Sequence, residues 1–545
     1  MPLLTLILAA PVAAGLACLL PVPRRAMWLL NVLGFGATLV LGIALARQVL
    51  AHGVVTEWHE FLYADALSAL MVLLNSVVSF SVVIYAGGYF ERDLANGVVT
   101  PGRVREFFVF TPFFSAAMFL VVLANNLGVM WAAVEATALS SVLLVALYNR
   151  KTSLEAAWKY IMLGSLGLAL ALLGTVFVYA AACKNTSVAL PSFDWSQLRT
   201  AADQFDPRMM KIAFLLALIG YGTKAGLTPM HTWLPDAHSE APSPTSAMLS
   251  GVSLKVAVYA LLRFHILTTA CLRSHFNTGP DSDFNPDFSR HLLLGFGLAS
   301  MFLAPPFILV QRNLKRMLAY SSLEHVGLIV TGMAINTPIA IFGALLHMVY
   351  HALTKPVLFF AAGDIHQTVH SLEFRVIGPG LMKRLPLTAL LLALAGIAAM
   401  GLPPFGLFFS ELTVISGGIA AGKITVSVLI LVALVASFCG ILRQLTRILP
   451  GEPRNISVAR GCDASSQNVG ATPSSREQNG PGFGVPVGAG DEASPAPSVT
   501  RASQPHSNVP AMVVLLGALL VFSVWLPSPL QELLRQAADI IGGKR

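Results

Sequence analysis

Eight ionisable side chains stand where long apolar runs leave them no water: Glu135, Lys224, Lys255, His325, His347, His351, Lys355 and Glu411. A charge at the bilayer centre costs about 2.5–3.5 kcal/mol on insertion scales, so such a residue marks an ion or proton path unless it faces protein or water. The residue types point to proton exchange. Lysine changes its pKa readily on burial and histidine titrates near neutrality, whereas arginine stays charged. Glu135 is the only charge between Glu106 and Arg150. It lies about 13 Å into its span at 1.5 Å per residue. A lone buried carboxylate is driven neutral unless a cation pairs with it, and Lys224 is the natural partner. A buried pair is a poor stability device, so a switch explains it better. His347, His351 and Lys355 recur at i, i+4 and i+8 and line one helix face. One helical histidine is more often a satisfied core residue; two with a lysine on one stripe read as a relay. Glu324 and His325 add a titratable pair. Glu411, the only charge between Arg384 and Lys423, is the candidate exit carboxylate.

Other chemistries fit less well. His231, Asp236, His238 and Glu240 are metal-ligand types, but they surround a proline-broken turn without HxxxH spacing. Loop-lining polar residues explain them equally well, and no metal or other cofactor is expected. The five cysteines stand far apart with no CxxC, which excludes a local Cys-ligated iron–sulfur motif.

The elements that must hold these groups are membrane spans. The 545 residues are 55% hydrophobic and 11% charged, whereas soluble domains run near a quarter charged. The net charge of +8 comes from short basic pairs between apolar runs, such as Arg24-Arg25, Lys315-Arg316 and Lys383-Arg384. Membrane topology predicts that placement, and a nucleic-acid stripe would be contiguous. A ruler of about 20 apolar residues gives about fourteen spans, the first retained rather than cleaved as a signal peptide. Pro229 and Pro235 break the seventh span, and Pro403 and Pro404 break the twelfth. Paired breaks are the sequence pointer to inverted repeats. The expected organisation is helices 1–3 over residues 1–106, a first five-helix repeat over 107–265, a second over 290–450, and a C-terminal span with its tail over 510–545. Basic residues crowd alternate short loops, which sets both termini outside the cytoplasm. Residues 451–509 are Gly-, Ser- and Pro-rich with few aromatics. That composition cannot bury enough surface to order itself, so it reads as a disordered cytoplasmic linker.

The segment LTPMHTWLPDAHSEAPSPTSAMLSGVSLKVAVYALLRF, from Leu227 to Phe264, resembles the signature of the antiporter-like, proton-conducting membrane subunits of complex I, Mrp antiporters and membrane-bound hydrogenases. The resemblance covers roughly residues 60–450. AYSSLEHVG and GLPPFGLFFSEL look like the hydrogenase-4 branch, component F-like. The linker departs from the family. The resemblance implies an all-α polytopic protein of the bacterial inner membrane with a hydrophilic axis. It implies Glu135 and Lys224 as paired switch, Lys255 as central relay, His325, His347 and His351 as second half-channel, and Glu411 as terminal group. It further implies partner membrane subunits in a hydrogenase- or complex I-like assembly, with no redox cofactor in this chain. The rivals are an Mrp-type Na⁺(K⁺)/H⁺ antiporter subunit and a non-conducting assembly scaffold.

The linker carries the first prediction. Protease added to inside-out vesicles should cut within 451–509, and shortening that stretch to about ten residues should leave proton translocation unchanged, since its ends need only a short connection. Cutting only in right-side-out vesicles would reverse the topology.

Overall fold

The computed structural model describes residues 2–185, 192–276, 285–452 and 509–543. The expected linker lies almost wholly outside the described residues. The chain is a multi-pass helical membrane protein. Helices α1 (Leu3–Ala17) and α2 (Arg24–His52) lead into a small antiparallel hairpin, β1 (Val55–Glu57) and β2 (Leu62–Ala64), with Val55 opposite Ala64. Then come α3 (Ala66–Ala95), α4 (Pro101–Leu123), α5 (Leu127–Val145), α6 (Lys151–Asn185) and the short α7 (Trp195–Thr200). The centre of the chain is irregular. Helix α8 (Pro207–Ala225) stops, α9 (Trp233–Glu240) resumes, and α10 (Ser243–Met248) passes through a π-turn at Leu249–Ser253 into α11 (Leu254–Ser274). Long helices return in α12 (Phe288–Val310), α13 (Leu314–Ile335) and α14 (Pro338–Val369), followed by the short α15 (Phe374–Ile377) and α16 (Leu381–Arg384). The second interruption separates α17 (Pro386–Ala399) from α18 (Gly406–Ala420), before α19 (Ile424–Ile448), α20 (Val509–Val524) and α21 (Ser528–Gly542).

Polar caps start these helices where apolar sequence alone would leave them free to slide. Asp65, Thr100, Asn126, Asp206, Asn313 and Thr337 each accept from a backbone N–H of the first turn. The Thr100 cap starts α4 at Pro101 rather than 107, and at its other end α11 runs past the hydropathy estimate to Ser274. Burial acts to raise the Asp206 carboxyl, but Lys184 and the N–H groups of Met209 and Arg208 hold it below the usual carboxylate range.

Among the described residues ten helices are long and apolar enough to cross a membrane, or eleven if the pair α20 and α21, bent by 77°, counts as one span. The expectation of fourteen counted further segments that do not meet that measure singly. Helix α1 has 15 residues, and α17 and α18 are halves of one interrupted segment. The tail after α20 is also more than a tail. Helix α21 buries Leu533, Leu534, Ala537, Ile540 and Ile541 and packs on α3 and α14. Tyr350 on α14 ties down α20 by donating to the Phe522 carbonyl at 2.9 Å.

The two interruptions differ in their details from the proline reading. Gly226, in the left-handed region at φ +78°, ends α8, and the Thr228–Pro229 bond is cis. Pro235 sits in the first turn of α9, where its missing N–H costs nothing. Pro403 and Pro404 lie between α17 and α18, joined by a cis bond. Close helix approach rests on small residues. A Cβ at Gly220 on α8 would sit 2.6 Å from the Gly167 carbonyl oxygen of α6.

One buried ion pair fastens α3 to α11. Arg263 donates to Asp65 through Nη1 at 2.7 Å and Nη2 at 2.9 Å, and its guanidinium lies 4.1 Å from the Trp195 ring centroid. Ser68 and Tyr259 complete its hydrogen bonds. Removing one partner strands the other charge, so Arg263→Met should cost about 3–5 kcal/mol. The thermal unfolding midpoint of the purified protein should fall accordingly, and Asp65→Asn combined with Arg263→Met should recover part of the loss. Strictly additive losses would show that the two groups are not coupled.

Candidate functional site

The site begins with a charge that the backbone itself must solvate. Lys255 is fully buried on α11. Its ammonium donates to the carbonyls of Ser250 at 2.8 Å and Gly251 at 2.6 Å. Both carbonyls belong to the π-turn, where the backbone ladder is shifted from i→i+4 to i→i+5. The third Lys255 contact is His351 Nδ1, at 2.6 Å.

From His351 a string of imidazoles continues across α13, α14 and α18. The rings of His351 and His325 lie 5.0 Å apart. His325 Nδ1 is 3.0 Å from His347 Nε2, and His347 Nδ1 is 2.9 Å from Ser410 Oγ. Ser410 precedes Glu411, which is 6% exposed. Ligand-capable atoms of His325, His347 and Glu411 all lie within 4.8 Å of one another, the one such convergence of three among the described residues. These three could hold a divalent cation by donor type. The Nε2 atoms of His325 and His351 have no hydrogen-bond partner among the described residues. His325 and His351 therefore each keep an open ring nitrogen, whereas both nitrogens of His347 are engaged.

Glu411 owes its position to the break before it. Gly401 has φ +65°, and a Cβ there would overlap the Glu411 carboxylate. The interruption thus does two things: it turns the chain through a conformation that favours glycine, and it leaves space for the carboxylate. A cavity of about 320 Å³ lies on Glu411, walled by apolar residues of α18 and α19 such as Phe408 and Leu431.

The other expected residues are arranged differently. Lys224 is buried, but Glu135 is half-buried and the two form no ion pair. Lys224 donates to Tyr160 Oη at 2.5 Å, Tyr160 meets Ser141 Oγ at 2.7 Å, and Glu135 accepts from Ser165 at 3.1 Å. Tyr160 and Ser165 both belong to α6, which sequence spacing along α5 and α8 could not reveal. Lys355 continues the His347–His351 face, yet its ammonium turns to α13, to Ser321 Oγ and the Leu318 carbonyl. Between the lysines the contacts are aromatic. Tyr160 packs tilted against Trp233 with centroids 4.6 Å apart, and the Trp233 and His238 centroids are 6.3 Å apart. The loop cluster around His231 does not converge. Asp236 pairs with Lys159 and Arg316, Glu240 accepts from Thr152, and His238 Nδ1 faces the Leu234 carbonyl.

Tyr160, Ser165, Ser410, Gly401 and the π-turn escaped sequence reasoning. The signal for Gly401 was present in its position before the double proline. The hydroxyls carried none, since serine is common in apolar helices.

Residues 124–437 match the family model described as the NADH:quinone oxidoreductase/Mrp antiporter membrane region. The chain is 37% identical over 398 residues to a hydrogenase-4 component F homolog of Methylacidiphilum infernorum, covering 73% of this chain and 81% of that one. It is 30% identical over 387 residues to NADH-quinone oxidoreductase subunit N of Desulforudis audaxviator, covering 70% and 71%. A chain in the solved Mrp complex from a Dietzia species superposes with a TM-score of 0.78 at 21% identity, over 99% of this chain and 97% of that one, which shows a common fold.

A paired substitution tests the Gly401 geometry. Gly401→Ala and Gly422→Ala both impose a side chain on a left-handed φ, at about 1–3 kcal/mol, but only at Gly401 does the new methyl meet a carboxylate. Proton translocation in reconstituted vesicles should be lost in Gly401→Ala and retained in Gly422→Ala. Equal activities would separate Glu411 from the break.

Proposed function

The chain belongs to the NADH:quinone oxidoreductase/Mrp antiporter membrane-subunit family, and from that premise we propose that it moves protons within a hydrogenase- or complex I-like oxidoreductase. The observation that carries the proposal is the buried string from Lys255 through His351, His325 and His347 to Glu411. A static core has no use for three close imidazoles between an ammonium and a carboxylate, whereas a relay needs titratable groups in close succession. Lys255–His351 and His325–His347 stand at hydrogen-bond spacing, and the His351 and His325 rings lie 5.0 Å apart.

In this reading the Glu135–Lys224 region is the entry switch. Each group has a neutral hydroxyl partner, so neither is committed to the other, and a shift of α6 would change both environments together. A partner subunit's redox step would drive that shift. The proton then passes to Lys255 and along the histidines to Glu411, with Lys355 of α14, its ammonium held against α13, biasing the path. Moving one charge against the membrane potential costs about 2.3 kcal/mol per 100 mV, so an uncoupled conduit would dissipate the gradient and a partner is required. The proposal includes two five-helix repeats, each with one interrupted helix, and the N- and C-termini on the periplasmic side of a bacterial inner membrane.

The test is made in the intact complex. Lys224→Ala and Glu135→Ala should each abolish coupled translocation while normal complex levels persist on a native gel. Glu411→Gln keeps size and hydrogen-bonding capacity but cannot ionise, so it should slow turnover or uncouple it from pumping. Glu411→Asp should keep part of the activity. Wild-type pumping in the Lys224 and Glu135 variants would sink the switch. Undiminished pumping in both Glu411 variants would make that carboxylate structural.

A further inference from the structure

Far from the relay, at the end of the bundle where α2 begins and α3 ends, a cavity of about 430 Å³ opens between α2, α3 and α4. Its mouth and interior differ sharply in chemistry. At the mouth stand Arg24 and Arg25, both exposed. Arg24 approaches Glu91 at 3.7 Å, a loose pair with 44% and 52% of the two side chains exposed. Arg25 makes no ion pair among the described residues. The walls are apolar and aromatic, including Phe90 and Phe108, with Trp28 along one side. Trp28 is fixed there: its indole N–H donates to the Val83 carbonyl at 3.1 Å. A Cβ at Gly87 would lie 2.6 Å from the indole nitrogen, so only glycine lets the ring lie against α3.

We propose that this cavity is a binding site for an anionic phospholipid. The occupant must be amphiphilic, because a soluble anion would leave aromatic walls wet and a neutral lipid would leave Arg25 without a counter-charge and Arg24 with only its loose pair to Glu91. Arginine forks match phosphate oxygens in bidentate geometry. Basic pockets between membrane helices at the interface take lipid headgroups in this way, with tryptophan at the headgroup level. The phosphate takes the place of Glu91 beside Arg24 and engages Arg25, while one acyl chain lies between Trp28 and Phe108. The site touches none of the relay residues, so its occupancy governs how α2 and α3 are held rather than the proton path itself.

The experiment uses the intact complex purified in mild detergent. Lipid extracted from the wild-type complex should contain a phosphatidylglycerol or cardiolipin molecule that resists delipidation. That molecule should be lost from Arg24→Ala/Arg25→Ala and largely kept in Arg24→Lys/Arg25→Lys, which preserves the charge. Reconstitution with brominated lipids supplies a second measurement that does not depend on the alanine variant assembling. Brominated phosphatidylglycerol should quench a fraction of the tryptophan fluorescence that brominated phosphatidylcholine does not, and Trp28→Phe should remove that fraction. Unchanged anionic lipid in the alanine variant, or equal quenching by the two lipids, would overturn the site. So would a Trp28 untouched by either lipid, the result expected if a partner subunit fills the cavity.

Discussion

An ammonium group with no water around it must be solvated by the protein, and much of this structure follows from how Lys255 is satisfied. In a regular helix each carbonyl already accepts from the N–H four residues on, so a side-chain donor has to share it. The π-turn at Leu249–Ser253 shifts that ladder one turn before the lysine, and the ammonium closes back on the Ser250 and Gly251 carbonyls. Only its remaining donor direction is free, and that points to His351. The local defect in α11 thus supplies both the stability of the buried cation and the direction in which it can lose a proton.

The same economy governs the far end of the string. Glu411 needs space and a polar neighbour at membrane depth. The chain provides them by interrupting a span and leaving a glycine, Gly401, against the carboxylate. Broken helices are tolerated in a membrane where their loose backbone is covered by protein. Here both interruptions adjoin the residues that carry charge, Lys224 before the first and Glu411 after the second. Placing the defect beside the charge means that each makes the other tolerable.

Elsewhere charge is used in the opposite way. The Asp65–Arg263 pair is bidentate, sandwiched against Trp195 and saturated with further hydrogen bonds. Its two charges are committed to each other at bidentate spacing, so the pair clamps α3 to α11. Glu135 and Lys224 show the intermediate case. Each holds one hydroxyl from α6, and neither is locked. The contrast separates groups that fix helices from groups that can exchange partners.

What the sequence determined by itself was the solvent and the chemistry. Apolar runs of span length require a bilayer, and ionisable residues inside them require a compensating partner or a role, because the desolvation cost follows from residue type and depth. The i, i+4, i+8 spacing of His347, His351 and Lys355 is likewise a property of one helix. Tertiary structure decided which groups meet. It turned Lys355 away to α13, joined His351 to Lys255, inserted Tyr160 and Ser165 where an ion pair was expected, and bent the C-terminal segment into two helices. Hydrogen bonds between side chains on different helices depend on crossing geometry and register, which hydropathy does not encode. Local irregularities such as the π-turn depend on which buried donor must be satisfied. That demand arises only once the helices have packed and water has been excluded.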